Sequence, residues 1–393
     1  MQKNAITTGF DIGTLLFYLI LAVGFVLCLH QLKGEVRNNN SSGIKSHSLK
    51  ICYDEIWMIV MWIILVFAAV FRLVNENGVG GPDASEYIRR FQYGWTGNED
   101  ISLKRFFSLK NGEPFLYSFF EIIRLFTSSY RIMFLIFYGF VGYCYLSFSY
   151  YFFKKYRSYV SFVGAPLLIK EFLYSFSAMR FSLGVAFILL GMKYYGEKRY
   201  RIAGIYFICA ILSHLTLIIP VGALVFERVI GKTRILEKLR TRRRMVTVFA
   251  VVVAVLFLMM PHILNIIMNT KFGYANNGGL SIRGQLIFLF TGLLTLSFYK
   301  ELKAVFREDI WIVDLELLDV ALIPIMLNVD AYRIHNMFVG VKAMILGALF
   351  IIIRKRFANK RIVTVGGYLL AFAYFCFLFY RGSMPTPYIL DMF

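Results

Sequence analysis

Residues 130–153 read YRIMFLIFYGFVGYCYLSFSYYFF and end on Lys154-Lys155-Tyr156-Arg157. Arg131 is the sole charge in the run, and the apolar residues follow one another without the alternation of a strand. About 20 such residues cover the ~30 Å hydrocarbon core of a bilayer as a helix. There is no water in that core to satisfy the backbone, so each N–H and C=O must find its partner within the segment. A transmembrane barrel would show short alternating segments instead. Similar runs recur at approximately 12–31, 56–74, 158–177, 180–196, 202–226, 245–268, 284–299, 310–329, 335–353 and 362–380, with a shorter one at 114–127. The reading is an all-α protein, a polytopic transmembrane helical bundle of about 10–12 spans. It forms a single integral membrane domain over 1–393.

Composition agrees. The chain is 59% hydrophobic and 17% charged, where soluble domains carry about 45–50% and about 25%. The 43 Lys and Arg exceed the 23 Asp and Glu, a net charge of +20. In a soluble protein that excess would suggest nucleic acid, but no zinc-finger, RRM or helix-turn-helix pattern is present. The bases instead fill short loops between apolar runs, as cytoplasmic loops do. The five cysteines form no CxxC, and four lie inside apolar runs, so they read as apolar filler. The first apolar run lacks a basic start and a small-residue cleavage site and is expected to be retained.

Lys and Arg set the orientation. The dense clusters are Lys33 to Lys50, Lys154 to Arg157, Lys198 to Arg201, Arg228 to Arg244, Lys300 to Arg307 and Arg354 to Arg361. Placing all of them in the cytoplasm, with 227–244 as the main basic loop, puts both termini and the loop 75–113 on the outer face. That loop is balanced in charge and rich in turn residues, which suits an ordered substrate platform. Two runs must bend to keep the pattern. Run 114–127 is too short to span and reads as re-entrant or interfacial. Run 202–226 has bases at both ends and reads as two half-helices that meet near His214 and return past Pro220.

Ionisable groups at membrane depth or at its edge are costly, so each is a functional candidate. Arg180 opens an apolar helix on the outer side. It either snorkels or clamps a phosphate. Arg333, in Asp330-Ala331-Tyr332-Arg333-Ile334-His335, either pairs with Asp330 or is a second phosphate-binding base. Lys342 follows on the face of His335 and is paired in the core or lines a cavity. His214, in Ser213-His214-Leu215-Thr216, is a core histidine or a proton-transfer group at a helix break. Asp83 and Glu113 flank the outer loop as helix caps or as carboxylates that bind or activate sugar hydroxyls. Lys170-Glu171 and Glu121 with Arg124 read as structural ion pairs. With no HExxH, P-loop or GxGxxG-plus-acid pattern, neither a metal nor a nucleotide cofactor is expected.

Gly81-Pro82-Asp83-Ala84-Ser85-Glu86-Tyr87, then Gly112-Glu113-Pro114, then Met179-Arg180-Phe181-Ser182-Leu183-Gly184, then Ser213-His214-Leu215-Thr216, resemble the EpsG-like family of Wzy-type polysaccharide polymerases. Order and spacing match over most of the chain. The residues around the arginine, Ser177-Ala178-Met179-Arg180-Phe181, depart from the Asn-x-x-Arg-Gln common in the family but keep the arginine. The resemblance implies a GT-C-like membrane glycosyltransferase of the bacterial inner membrane with its active site facing the periplasm. The implied substrates are oligosaccharide repeat units on undecaprenyl pyrophosphate, polymerised into O-antigen, capsule or exopolysaccharide. A chain-length regulator protein is a further candidate partner. In that scheme Arg180 and Arg333 bind pyrophosphate. His214, Asp83 or Glu113 takes the acceptor proton, and Tyr87 and Ser213 contact substrate.

Two other readings compete. An O-antigen ligase or another lipid-linked-sugar transferase would share the arginines and differ in acceptor. A flippase or transporter of the same units should show paired repeats and charges at the midplane of several helices. No repeat is visible, and the suggestive charges gather at one face.

Overall fold

The computed structural model describes residues 11–32, 53–94, 114–230, 240–268, 282–328, 333–380 and 387–391, with positions 233, 238 and 384. The described residues form helices joined by turns and short irregular segments. The only ladder-type pairing among them is an isolated antiparallel bridge between Arg72 and Leu390. In chain order the helices are α1 (Ile12–His30), α2 (Tyr53–Val70), α3 (Ala84–Tyr93), α4 (Pro114–Arg124), α5 (Tyr130–Lys155) and α6 (Ala165–Tyr174). Next come α7 (Met179–Gly196), α8 (Tyr200–Ser213), α9 (Ile218–Ile230), α10 (Arg242–Leu258), α11 (Met260–Met268) and α12 (Ile282–Ser297). The last six are α13 (Tyr299–Val305), α14 (Trp311–Ala321), α15 (Ile323–Asn328), α16 (Arg333–Asn336), α17 (Val339–Arg354) and α18 (Lys360–Tyr380).

Three of these, α1, α5 and α18, are long and apolar enough to cross a membrane by length and composition. The protein is therefore a helical membrane protein. The other apolar runs form shorter helices, and the expected ten to twelve full spans are not all present as unbroken rods among the described residues. Proline explains four of the runs that did not become long helices. Pro166, Pro220, Pro261 and Pro324 fall inside the runs 158–177, 202–226, 245–268 and 310–329. Each sits in the first turn of a new helix: α6, α9, α11 and α15. A proline has no N–H to donate and its ring clashes with the preceding turn, so it starts helices and does not continue them. The runs that became the three long helices contain none.

Run 202–226 folds back on itself. Helix α8 ends at Ser213, His214 is extended (φ −157°, ψ 116°), and a 3-10 turn over Leu215–Leu217 leads into α9. The far end of α9 returns to where α8 began. The Arg228 guanidinium lies 4.0 Å from the centroid of the Tyr200 ring, and the Tyr195 hydroxyl donates to Glu227 Oε2 at 2.5 Å. Both basic clusters thus share one end of the bundle.

Other basic segments lie at that end too. Arg157 donates to the carbonyls of Leu29 and His30 at 3.1 and 2.9 Å, at the C-terminus of α1. Lys155 pairs with Asp309 at 2.7 Å and Arg356 with Glu301 at 3.0 Å. At the opposite end, Asp11 caps α1 through Thr14 N–H. There the C-terminal segment docks: Tyr388 N–H donates to Thr14 Oγ1 at 2.6 Å, and Leu73 N–H to Ile389 O at 2.7 Å.

Gly164 and Gly81 are among the glycines that allow close backbone approach. A Cβ at Gly164 would overlap the Ala343 backbone, which brings the start of α6 directly onto α17. Gly81 has φ +127°, and a Cβ there would overlap the Phe176 carbonyl oxygen. Gly81→Ala should therefore lower stability by about 1–3 kcal/mol, combining strain with overlap. Gly204→Ala, in an open position on α8, should be neutral or raise stability by up to about 1 kcal/mol. Thermal unfolding of both variants in detergent checks this. Equal melting temperatures would show that the Gly81 turn does not bear on Phe176.

Candidate functional site

The first turn of α7 gathers the outer-face candidates. Arg180 is the second residue of the helix and is half-buried. Its Nε donates to the Tyr87 hydroxyl on α3 and its Nη1 to the Tyr117 hydroxyl on α4, both at 3.1 Å. Tyr87 and Tyr117 are themselves buried. The guanidinium plane is thereby set by two separate short helices. A helix N-terminus presents orphan N–H groups and a positive dipole end. Ala178, the capping residue, offers no side-chain acceptor there. A fixed cation beside open amides is an arrangement that attracts oxyanions.

Phe181 links this turn to the other two basic candidates. Its ring meets His214 edge-on with centroids 5.3 Å apart and planes at 90°. It meets Tyr174 edge-on at 6.4 Å. The Tyr174 hydroxyl accepts from Arg333 Nε at 3.1 Å. His214 and Arg333 are thus joined through the rings of Tyr174 and of Phe181, next in the chain to Arg180, from three helices and one helix break. His214 is buried, and its Nδ1 lies 2.6 Å from Thr216 Oγ1, which fixes the ring orientation.

The remaining candidates are placed as follows. Asp83 is exposed at the start of α3, one helical turn before Tyr87. It occupies the N-cap position, but its carboxylate makes no capping bond, so the cap reading does not describe its side chain. Ser213 is fully buried and its hydroxyl donates to the Cys209 carbonyl at 2.8 Å, within its own helix. That bond keeps the hydroxyl inside α8 and not on an open surface. Glu113, Asp330 and much of the outer loop fall outside the described residues. Within α3, Glu86 binds Arg89 at 2.7 Å and also Arg90. The hydrogen bond from Arg89 is the main cause that holds its carboxyl down at about 2.

Behind Arg333 lies a buried polar cluster. Lys342 and Asp319 form an ion pair, and Lys342 Nζ also lies 3.2 Å from His335 Nδ1. His335 Nδ1 lies 2.9 Å from Asp319 Oδ1 and its Nε2 lies 2.7 Å from Gln285 Oε1. The Phe288 ring stacks on the imidazole at 3.5 Å. Lys170 reaches Glu171 at 3.2 Å and Asn336 Oδ1 at 3.3 Å. The short helix α16 is therefore tied down by His335 and Asn336, and it carries Arg333 with it.

The nearness of His335 and Lys342 was legible from spacing, although the two stand on separate helices, α16 and α17, and not on one helical face. So were the ion pairs Lys170–Glu171 and Glu121–Arg124, the latter at 3.2 Å. Asp319 and Gln285 were not singled out, although Asp314, Glu316 and Asp319 inside one apolar run are a signal of costly buried charge. Nothing local marks Tyr117 or Tyr174, because a tyrosine in an apolar helix is usually packing.

Removing one member of a buried pair leaves the other uncompensated, which costs about 3–5 kcal/mol. Asp319→Ala and Lys342→Ala should each lower the melting temperature strongly. Asp319→Leu with Lys342→Met together should cost less than either single change. Additive losses in that cycle, read by thermal unfolding, would contradict the pairing.

No curated protein and no solved structure matches the chain. The match to the EpsG family runs over residues 56–390, from α2 to the docked C-terminal segment, and so includes every element that builds the site. The chain belongs to the EpsG family.

Proposed function

We propose that this protein is a polysaccharide polymerase. It transfers a growing glycan from undecaprenyl pyrophosphate onto the non-reducing end of an incoming lipid-linked repeat unit. The reaction takes place at the end of the bundle opposite the basic loops, which the charge bias assigns to the periplasm. Membership of the EpsG family supports a polymerase-type role. The observation that carries the reading is the Arg180 guanidinium, held by Tyr87 and Tyr117 at the N-terminus of α7, with Arg333 and His214 grouped around Phe181 and Tyr174.

The chemistry follows from the groups. An acceptor hydroxyl oxygen attacks the anomeric carbon of the growing chain. The bond from that carbon to the diphosphate oxygen breaks, and the electron pair leaves with the diphosphate. Negative charge builds on the leaving oxygens, and fixed cations aimed at that charge lower the barrier without reorganising. Arg180 and Arg333 fill this role. The hydroxyl proton passes to the imidazole of His214. Asp83, exposed on α3 beside the tyrosine that holds Arg180, orients sugar hydroxyls.

The test is polymerisation of a defined lipid-linked repeat unit by the purified protein, read as a ladder on a gel. Arg180→Ala should lower the rate by about 10²–10³-fold while the melting temperature stays within a few degrees. His214→Gln should lower kcat more than it changes KM. A full ladder from a folded Arg180→Ala protein would sink this reading. In cells, loss of a polymerase leaves a single repeat unit on its acceptor, whereas loss of a flippase or ligase leaves the acceptor bare.

A further inference from the structure

A cleft of about 510 Å³ runs between α9, α10 and α14, from Glu227, Arg240 and Asp314 at the basic end of the bundle to Ile219 and Ala321. Its walls are almost wholly apolar, with Gly222 and Phe226 from α9, Phe249 and Val252 from α10, and Leu318 and Ala321 from α14. Its polar lining residues, Glu227, Arg240 and Asp314, gather at one end. Arg240 bonds Asp314 Oδ2 at 2.5 Å and Glu227 Oε1 at 3.3 Å. The volume is that of a small-ligand site. The shape is different: the lining extends along α14 from Trp311 to Ala321, about 15 Å at a helical rise of 1.5 Å per residue. That is half of the ~30 Å hydrocarbon core, the depth of one leaflet.

The cleft opens sideways. Of its lining, Phe226 is 55% exposed and Val252 38%, and Val225 and Val229 beside them are exposed as well. In a membrane protein such a slot faces acyl chains. Its polar mouth is cationic. Arg243 and Arg244 directly precede the lining residue Met245, and Lys303 donates to the Arg240 carbonyl at 3.0 Å. With Arg240 these are four bases against the two carboxylates, Glu227 and Asp314. Basic pockets between spanning helices on the cytoplasmic side suit anionic lipid headgroups. Gly222 adds a further mark: nothing lies within 4 Å of where its Cβ would be, so the wall is cut back where a chain would run.

We propose that this cleft holds one acyl chain of an anionic phospholipid from the leaflet on the basic side, with the headgroup phosphate against Arg243, Arg244 and Lys303. The site is separate from the one built on Arg180, and only the choice of a phospholipid over a polyprenyl tail rests on the polymerase reading. The occupant is a phospholipid and not the substrate's polyprenyl tail, because the diphosphate of that substrate would sit at the opposite end of the bundle. The slot spans only the leaflet beneath the bases.

Native mass spectrometry of the purified full chain, with phosphatidylglycerol and phosphatidylcholine of matched chains as probes, tests this. The wild-type protein should retain phosphatidylglycerol about tenfold more than phosphatidylcholine, a difference of about 1.4 kcal/mol. Gly222→Trp, which fills the slot, should lose both lipids. A variant with Arg243→Gln, Arg244→Gln and Lys303→Gln should keep the slot and lose the preference. Gly204→Trp, at an open glycine of α8 away from the cleft, should behave as wild type and controls for the bulk of the added ring. Equal retention of the two lipids by the wild type would overturn the proposal. So would undiminished phosphatidylglycerol on Gly222→Trp, or on the triple variant should Gly222→Trp fail to fold. Displacement of phosphatidylglycerol by undecaprenyl diphosphate would also overturn it and would assign the slot to the substrate's tail.

Discussion

The Arg72 guanidinium is 1% exposed and, among the described residues, has no carboxylate within ion-pair distance. A buried cation is costly unless its donors and charge are met. Here Nε donates to the Gly80 carbonyl at 2.8 Å and Nη2 to the Tyr138 hydroxyl at 2.7 Å. Nη1 donates to the Ala69 carbonyl, and the Phe176 carbonyl lies at 3.5 Å from Nη2. The rings of Phe134, Tyr138 and Phe176 surround the charge at 4.4 to 4.8 Å. Carbonyl dipoles and ring faces thus replace a counterion. A lysine could not serve, because the planar fork reaches several acceptors at once while stacking on the rings.

What Arg72 joins is what the candidate site requires. Gly80 and Gly81 lead into α3, which carries Tyr87. Phe176 leads into α7, which carries Arg180. The hydrogen bond from Arg180 to Tyr87 depends on those two segments being held in contact, and Gly81 lies against the Phe176 carbonyl where the Arg72 fork also reaches. The site is therefore anchored from below by a cation that never meets solvent.

The two ends of the bundle use charge differently. At the basic end, arginine and lysine are spent on carbonyls and carboxylates that close the helix ends, as Arg157 does on α1 and Lys155 on Asp309. At the other end, Arg180 and Arg333 are aimed by tyrosine hydroxyls, while Arg89, Arg90, Arg124 and Arg131 pair with carboxylates. Helix α14 runs between the two regimes. Asp314 joins Arg240 at the apolar cleft, and Asp319, further along the same helix, joins Lys342 and His335 behind Arg333. One rigid helix thus touches both the proposed lipid slot and the support of the candidate site.

Local chemistry settled a good deal before any coordinates. Hydropathy decided that the chain is a helical membrane protein, because lipid leaves an apolar run no other way to satisfy its backbone. The bases flanking 202–226 implied a run that doubles back, and Arg228 over the Tyr200 ring reports that geometry. The four internal prolines already marked where apolar runs must restart as new helices, although length alone suggested unbroken spans. What the sequence could not determine is which faces meet. Arg180, His214 and Arg333 are far apart in the chain, and only the packing of Phe181 between His214 and Tyr174 draws them together. The partners of Lys342 and the acceptors of Arg72 were undecided for the same reason. Hydropathy and charge belong to each residue alone, whereas a buried pair exists only once two helices have chosen a common face.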